Sequence, residues 1–201
     1  MSVLDLLPSF ATIFATIFVA ELADKDALLL LTLATRIRSW TAFAAGSVAF
    51  TITSAIIVSV GYLLIQIVPI FWVRLVGGFV MIGFGLWTYF RSDSDEKEEE
   101  RLIRRTLKKT EWSVFIGAVS LLILLDLAGD ATEVLTIVYV AKFENTLLVF
   151  LGAVLALILA SGVETLLGRK IGKLLSTKHI RLISLVVFLL IGSIIVATTL
   201  Y

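Results

Sequence analysis

The stretch FVAELADKDALLLL, residues 18–31, places four charged side chains, Glu21, Asp24, Lys25 and Asp26, between runs of apolar residues. A charge at bilayer depth costs roughly 2.5–3.5 kcal/mol on insertion scales, so it persists there only with a partner or a task. Whether this stretch lies at bilayer depth depends on the rest of the chain. Of 201 residues, 59% are hydrophobic and 16% charged, and the mean hydropathy is +1.05. Soluble domains are about half apolar and a quarter charged. The apolar runs here reach the roughly 20 residues that cross a membrane as a helix. The fold class expected is an all-α, multi-pass membrane protein.

Apolar periodicity predicts six transmembrane helices, at about 9–34, 41–66, 70–90, 112–141, 145–168 and 180–200. The breaks fall at RIRSW (36–40), at Pro69, at KFEN (142–145) and at GRKIGKLLSTKH (168–179). Pro69 ends a helix because it lacks an N–H and disfavours helical backbone at the residue before it. Domain organisation follows: a first three-helix repeat over 1–90, a charged cytoplasmic linker over 91–111, and a second three-helix repeat over 112–201. In the linker, SDSDEKEEERLIRRTLKKTEW (92–112) runs from acidic to basic and is expected to be a solvated connection. Alternate loops carry 14 Lys and Arg on one side and 2, Arg74 and Lys142, on the other. By the positive-inside rule both termini lie outside the cytoplasm. The N-terminal MSVLDLLPSF has neither a basic start nor a small-residue cleavage site, so no signal or transit peptide is expected. The setting expected is a prokaryotic cell membrane, and a homo-oligomer is compatible with the sequence.

The two halves resemble each other in their polar residues. A slide of 106 places Asp24 on Asp130, Arg36 on Lys142 and Gly46 on Gly152; a slide of 107 places RLVGGFVMIGFG (74–85) on RLISLVVFLLIG (181–192). With three spans per half the second half enters from the opposite face, an inverted repeat, the architecture by which secondary transporters alternate access to a central site.

Both halves carry acids within the predicted spans. Glu21 and Asp24 are three apart and share a helix face; Lys25, four after Glu21, offsets part of the charge, and Asp26 turns away from Asp24. In LLDLAGDATEVL (124–135), Asp126, Asp130 and Glu133 fall on one face of a continuous helix, with Thr132 beside them. Gly129 offers a point where that helix breaks and frees carbonyls as further ligands. Acids from both halves converging in a dry interior require bound protons or a bound cation. Hard oxygen ligands suit Ca²⁺, Mn²⁺ or Mg²⁺. The chain has no cysteine and one histidine, His179 in a basic loop, which removes thiol chemistry and the usual zinc and copper ligands. No resident cofactor and no nucleic acid are expected; the partners are metal ions, protons and the lipid bilayer. Glu164 reads as a residue pairing with Arg169 or Lys170 near a span end. Thr51, Thr53, Ser54, Ser59 and Ser161 line a pathway or serve as packing contacts. Trp40, Trp72, Trp87 and Trp112 form an interfacial belt.

At FVAELADKDALLLLTLATR the chain resembles the Gdt-type cation/proton exchangers, six-helix proteins of Golgi, chloroplast and prokaryotic membranes within the lysine-exporter superfamily. Their hallmark, Glu–apolar–Gly–Asp–Lys/Arg–Ser/Thr, occurs once in each half. The resemblance implies exchange of manganese or calcium for protons, with Glu21, Asp24, Asp126, Asp130 and Glu133 as metal ligands and Lys25, Asp26, Gly129 and Thr132 in support. The hallmark is altered here. Ala23 stands for Gly and Asp26 for the hydroxyl residue. In the second copy Ala131 stands for the basic residue and Leu127 for Glu, so that Asp126 or Glu133 takes the place of the second Glu. Two alternatives follow from the same residues: an exporter of another cation or a basic amino acid, and, more distantly, an intramembrane aspartyl protease using Asp24 and Asp130.

Overall fold

The computed structural model describes the backbone of residues 3–24, 30, 33–34, 37–90, 111–127, 130–143, 145–171 and 177–201. Among these the protein is all-helical: α1 Val3–Ala23, α2 Ser39–Ile67, α3 Ile70–Phe90, α4 Glu111–Leu127, α5 Ala131–Lys142, α6 Thr146–Ile171 and α7 Thr177–Leu200. Five of these helices are long and apolar enough to cross a membrane, and α4 with α5 makes a sixth span as a pair bent by 63°. The 91–110 part of the expected linker lies outside the described residues.

Helix ends follow local chemistry. Val68 is extended (φ −106°, ψ 129°), as a residue before proline prefers. The Pro69 carbonyl then accepts from Trp72 N at 2.9 Å and Val73 N at 3.3 Å, opening α3. Asn145 Oδ1 accepts from Leu148 N at 3.0 Å and caps α6. The first span differs from expectation. In place of a helix running through 9–34, α1 ends at Ala23, directly before Asp24. The acids that interrupt the apolar run also mark where the helix stops.

The two halves do not form separate bundles. Apart from α5 against α6, every substantial helix contact among the described residues joins an element of 3–90 to one of 111–200: α3 with α7 most extensively, then α2 with α6, α1 with α6, α2 with α4 and α5, and α3 with α5. Small residues make this approach close. A Cβ on Gly78 would meet Gly192 O at 3.2 Å, and one on Gly192 would meet Gly78 O at 2.7 Å. A turn or two along, a Cβ on Gly85 would lie 3.3 Å from Leu185 O. Low numbers of α3 thus face high numbers of α7, so the pair is antiparallel. Many alanines, among them Ala42, Ala45, Ala49, Ala153 and Ala156, are fully buried, the small-residue packing by which helices associate where lipid is as apolar as the side chains. Many large apolar residues face outward: Trp40, Trp72, Trp87, Ile67 and Phe90 are exposed, as a lipid-facing surface requires.

Candidate cation site

Each acidic motif sits at a helix end. In the first half, α1 closes with Asp24 N donating to Glu21 O at 2.9 Å. The Ala23 carbonyl accepts from the buried Ser184 hydroxyl of α7. A terminal carbonyl away from water needs such a partner. In the second half α4 ends at Leu127, one residue after Asp126, and α5 starts at Ala131. Asp130 is the N-cap of α5, extended at φ −114° and ψ 156°. Its Oδ1 accepts from Ala131 N, and its Oδ2 from Thr132 Oγ1 at 3.0 Å. Thr136 Oγ1 donates to Thr132 O at 2.8 Å, continuing the polar line along α5.

The expected single face carrying Asp126, Asp130 and Glu133 is therefore replaced by a bend. Asp126 belongs to α4, Asp130 to the break and Glu133 to the first turn of α5. A helical wheel assumes a continuous helix, and the 63° bend removes that premise.

Glu21 occupies the centre of the arrangement. It is fully buried, and neither carboxylate oxygen has a hydrogen-bond partner among the described residues. Within Coulombic range of it lie the carboxyl groups of Asp130, Glu164, Asp126 and Asp24. All four are buried. Four of the five expected ligands, Glu21, Asp24, Asp126 and Asp130, are thus brought together from α1, α4 and the α4–α5 break. Glu133 is half-buried and lines an adjoining pocket of about 10 Å³ with Asp126, Thr53, Ser54, Thr132 and Thr136. That is room for about one water. Among the described residues, no three acids approach closely enough to ligate one metal ion together. The acids surround Glu21 at electrostatic rather than coordinating distance. Lys25, Asp26 and Gly129 lie outside the described residues.

Glu164, expected near a span end as a partner of Arg169 or Lys170, lies in α6, 6% exposed and within Coulombic range of Glu21; the side chains of Arg169 and Lys170 lie outside the described residues. Its position in the apolar run 146–166, between Ser161 and Thr165, was the available signal: both hydroxyl residues are buried as well. The remaining polar residues divide. Thr53, Ser54 and Ser161 are buried, whereas Ser59 is exposed and Thr51 half-buried, each donating to its own helix backbone.

A further link joins α1 to α5. Thr16 Oγ1 and Tyr139 Oη are 2.6 Å apart. Thr132, Thr136 and Tyr139 follow one another at helical spacing from Asp130, and Thr16 stands five residues before Glu21. The pair closes the polar line leading from the acids toward the end of the bundle that holds Arg74 and Lys142.

No curated protein and no solved structure gives a significant match to the chain. The family model of the divalent cation/proton antiporter GDT1 matches residues 9–96 and 114–200, which takes in both acidic motifs and nearly the whole chain. An antiporter is a transporter and not an enzyme, so the aspartyl-protease reading of Asp24 and Asp130 falls. The chain belongs to the divalent cation/proton antiporter GDT1 family, as a multi-pass membrane protein.

Proposed function

We propose that the protein exchanges Mn²⁺ or Ca²⁺ for protons through a site formed by Glu21, Asp24, Asp126 and Asp130, with Glu133 and Glu164 completing the acidic shell. The observation that carries this reading is the burial of Glu21, its two oxygens unbonded, amid four further buried carboxyl groups. Such a cluster is held in a low-dielectric interior only when protons or a cation neutralise it. One set of acids that is alternately protonated and metal-bound makes the two cargoes compete, which is the requirement of an antiporter. The oxygen-only donor set favours hard cations. In the proposed cycle the acids close on an ion, and protonation from the extracytoplasmic face releases it. Return of the emptied site carries the protons inward.

The same reading takes the two halves as an inverted repeat, with both termini extracytoplasmic and with 1–90 and 112–201 as the repeats. Support comes from α3 and α7. Under the slide of 107, Gly78 corresponds to Leu185 and Gly85 to Gly192. Gly192 packs on Gly78, and Gly85 packs on Leu185. Residue i meets the counterpart of j while j meets the counterpart of i, the reciprocity of a two-fold axis. Because the two helices are antiparallel, that axis relates segments of opposite direction.

The test is reconstitution in proteoliposomes with an internal pH dye, adding Mn²⁺ or Ca²⁺ outside. Ion-dependent proton movement in the wild type, lost in Glu21→Gln and Asp130→Asn, is the expected result. Proton movement that is indifferent to both ions excludes them as cargo.

A further inference from the structure

Thr16 and Tyr139 also line a cavity of about 110 Å³. It sits at the end of the bundle formed by the start of α3 and the ends of α5 and α7. Arg74 of α3, Lys142 of α5 and the hydroxyl residues Thr12, Thr16, Tyr139 and Thr198 line it, and its other walls are aliphatic. Both charged residues among its described walls are positive. They are the two cations assigned to the loops opposite the basic ones, and one comes from each half.

Neither cation is neutralised by an acid among the described residues. Arg74 Nη2 donates to the Thr198 carbonyl at 2.9 Å, while its Nε is buried without a hydrogen-bond partner among the described residues. Lys142 lies 5.5 Å from the Phe143 ring centroid and within Coulombic range of Arg74. A guanidinium cannot discharge by losing a proton, and it carries five donors in a fixed fork suited to oxyanions. Two like charges sharing a partly buried cavity repel, and an anion between them turns that repulsion into attraction. The volume sets the size of the guest. Organic ligands occupy pockets of roughly 300–1,000 Å³, several times this cavity, which admits a single ion or headgroup.

We propose that this cavity binds one small anionic group, a free inorganic anion such as phosphate or chloride or the phosphate head of an anionic phospholipid. Arg74 and Lys142 are its charged ligands, and the Tyr139 and threonine hydroxyls supply further donors. A phospholipid phosphate and a free oxyanion present the same charged oxygens to these donors. The anion clamps α3, α5 and α7 at one end of the bundle. Binding is measured without any transported ion, so its outcome is separate from that of the antiport reading.

The test uses the full chain in nanodiscs of phosphatidylcholine, with unfolding followed as phosphate or chloride replaces gluconate at constant ionic strength. A parallel series replaces part of the phosphatidylcholine with phosphatidylglycerol in gluconate. A ligand that binds only the folded state raises Tm by mass action, here by roughly 2–4 °C when it stands at about five times its Kd. A rise with phosphate or chloride identifies a free anion, and a rise with phosphatidylglycerol alone identifies a lipid headgroup. In either case the rise is absent in Lys142→Gln and in Arg74→Gln and is kept in Lys142→Arg. Lys142→Gln guards against misfolding, since among the described residues no hydrogen bond ties Lys142 in place as one ties Arg74. If neither series moves the wild-type Tm, or if the Gln variants respond as the wild type does, the proposal is overturned.

Discussion

Thr16 of α1 and Tyr139 of α5, 123 residues apart in sequence, bring their side-chain oxygens within 2.6 Å of each other. Both residues also line the cavity that Arg74 and Lys142 line. Removing the Tyr139 hydroxyl costs little stability, because Thr16 Oγ1 also donates to Thr12 O at 2.6 Å. A net loss of about 0.5–1.5 kcal/mol is expected for one such bond. Function responds more strongly. In proteoliposomes Tyr139→Phe is expected to raise the proton leak in the absence of Mn²⁺ and Ca²⁺, since the α1–α5 closure is weakened. An unchanged leak would show that the pair only stabilises.

Asp130 has two roles that can be separated. As the N-cap of α5 it accepts from Ala131 N, and asparagine caps a helix as well as aspartate does. Asp130→Asn is therefore expected to keep its Tm within about 2 °C, less than 1 kcal/mol for a chain of this length, while losing ion-dependent proton flux. Asp130→Ala loses the flux and also costs about 1 kcal/mol of stability. Thermal unfolding beside flux measurements distinguishes the two variants.

Glu164 decides whether the acidic shell extends into α6. It is buried within Coulombic range of Glu21. Glu164→Gln keeps the shape and removes the charge, and at least a tenfold loss of ion-dependent proton flux is expected. Arg169→Gln and Lys170→Gln serve as comparisons. If Glu164 served only to pair with those residues, all three variants would show the same mild effect.

Packing of α3 on α7 tolerates no added volume at its centre. Gly192→Leu drives a side chain into Gly78 O and the Ile82 side chain, and overpacking of this kind costs typically 1–3 kcal/mol. A side chain at Gly83 meets nothing within 4 Å. Gly83→Ala is thus expected to be neutral or slightly stabilising, since alanine is favoured over glycine in a helix by up to about 1 kcal/mol. Unfolding in nanodiscs of fixed lipid composition compares them.

Ser184 donates to the Ala23 carbonyl at the end of α1. Ser184→Ala removes this donor from a carbonyl in a buried setting, at a cost of about 1–3 kcal/mol. Because Asp24 follows Ala23 directly, apparent affinity for Mn²⁺ is expected to fall as well. A loss of stability with unchanged affinity would confine Ser184 to a structural role.

Sequence alone determined the class of this protein and the position of most of its buried acids. Apolar runs interrupted by few charges specify membrane helices, because an unpaired backbone is intolerable in lipid. Five of the helices and the bent pair fall where those runs fall. ELADKD and LDLAGDAT marked the acids because a carboxylate in such a run is too costly to be incidental. What the sequence left open was geometry. Periodicity treats each span as one continuous helix, and so it carried α1 past Ala23 and set Asp126, Asp130 and Glu133 on one face. The end of α1 at Ala23 and the start of α5 at Ala131 are stabilised by a tertiary and a local contact, Ser184 on Ala23 and Asp130 on Ala131. No window of sequence contains the partner of Ala23, which is 161 residues away. The same holds for Glu164: a local reading pairs it with the nearest cations, whereas its burial is decided by the packing of α6 against α1 and α2. Distant contacts decide where a helix stops and which way a charge faces, since the energies involved are those of burial, and burial is a property of the assembled bundle.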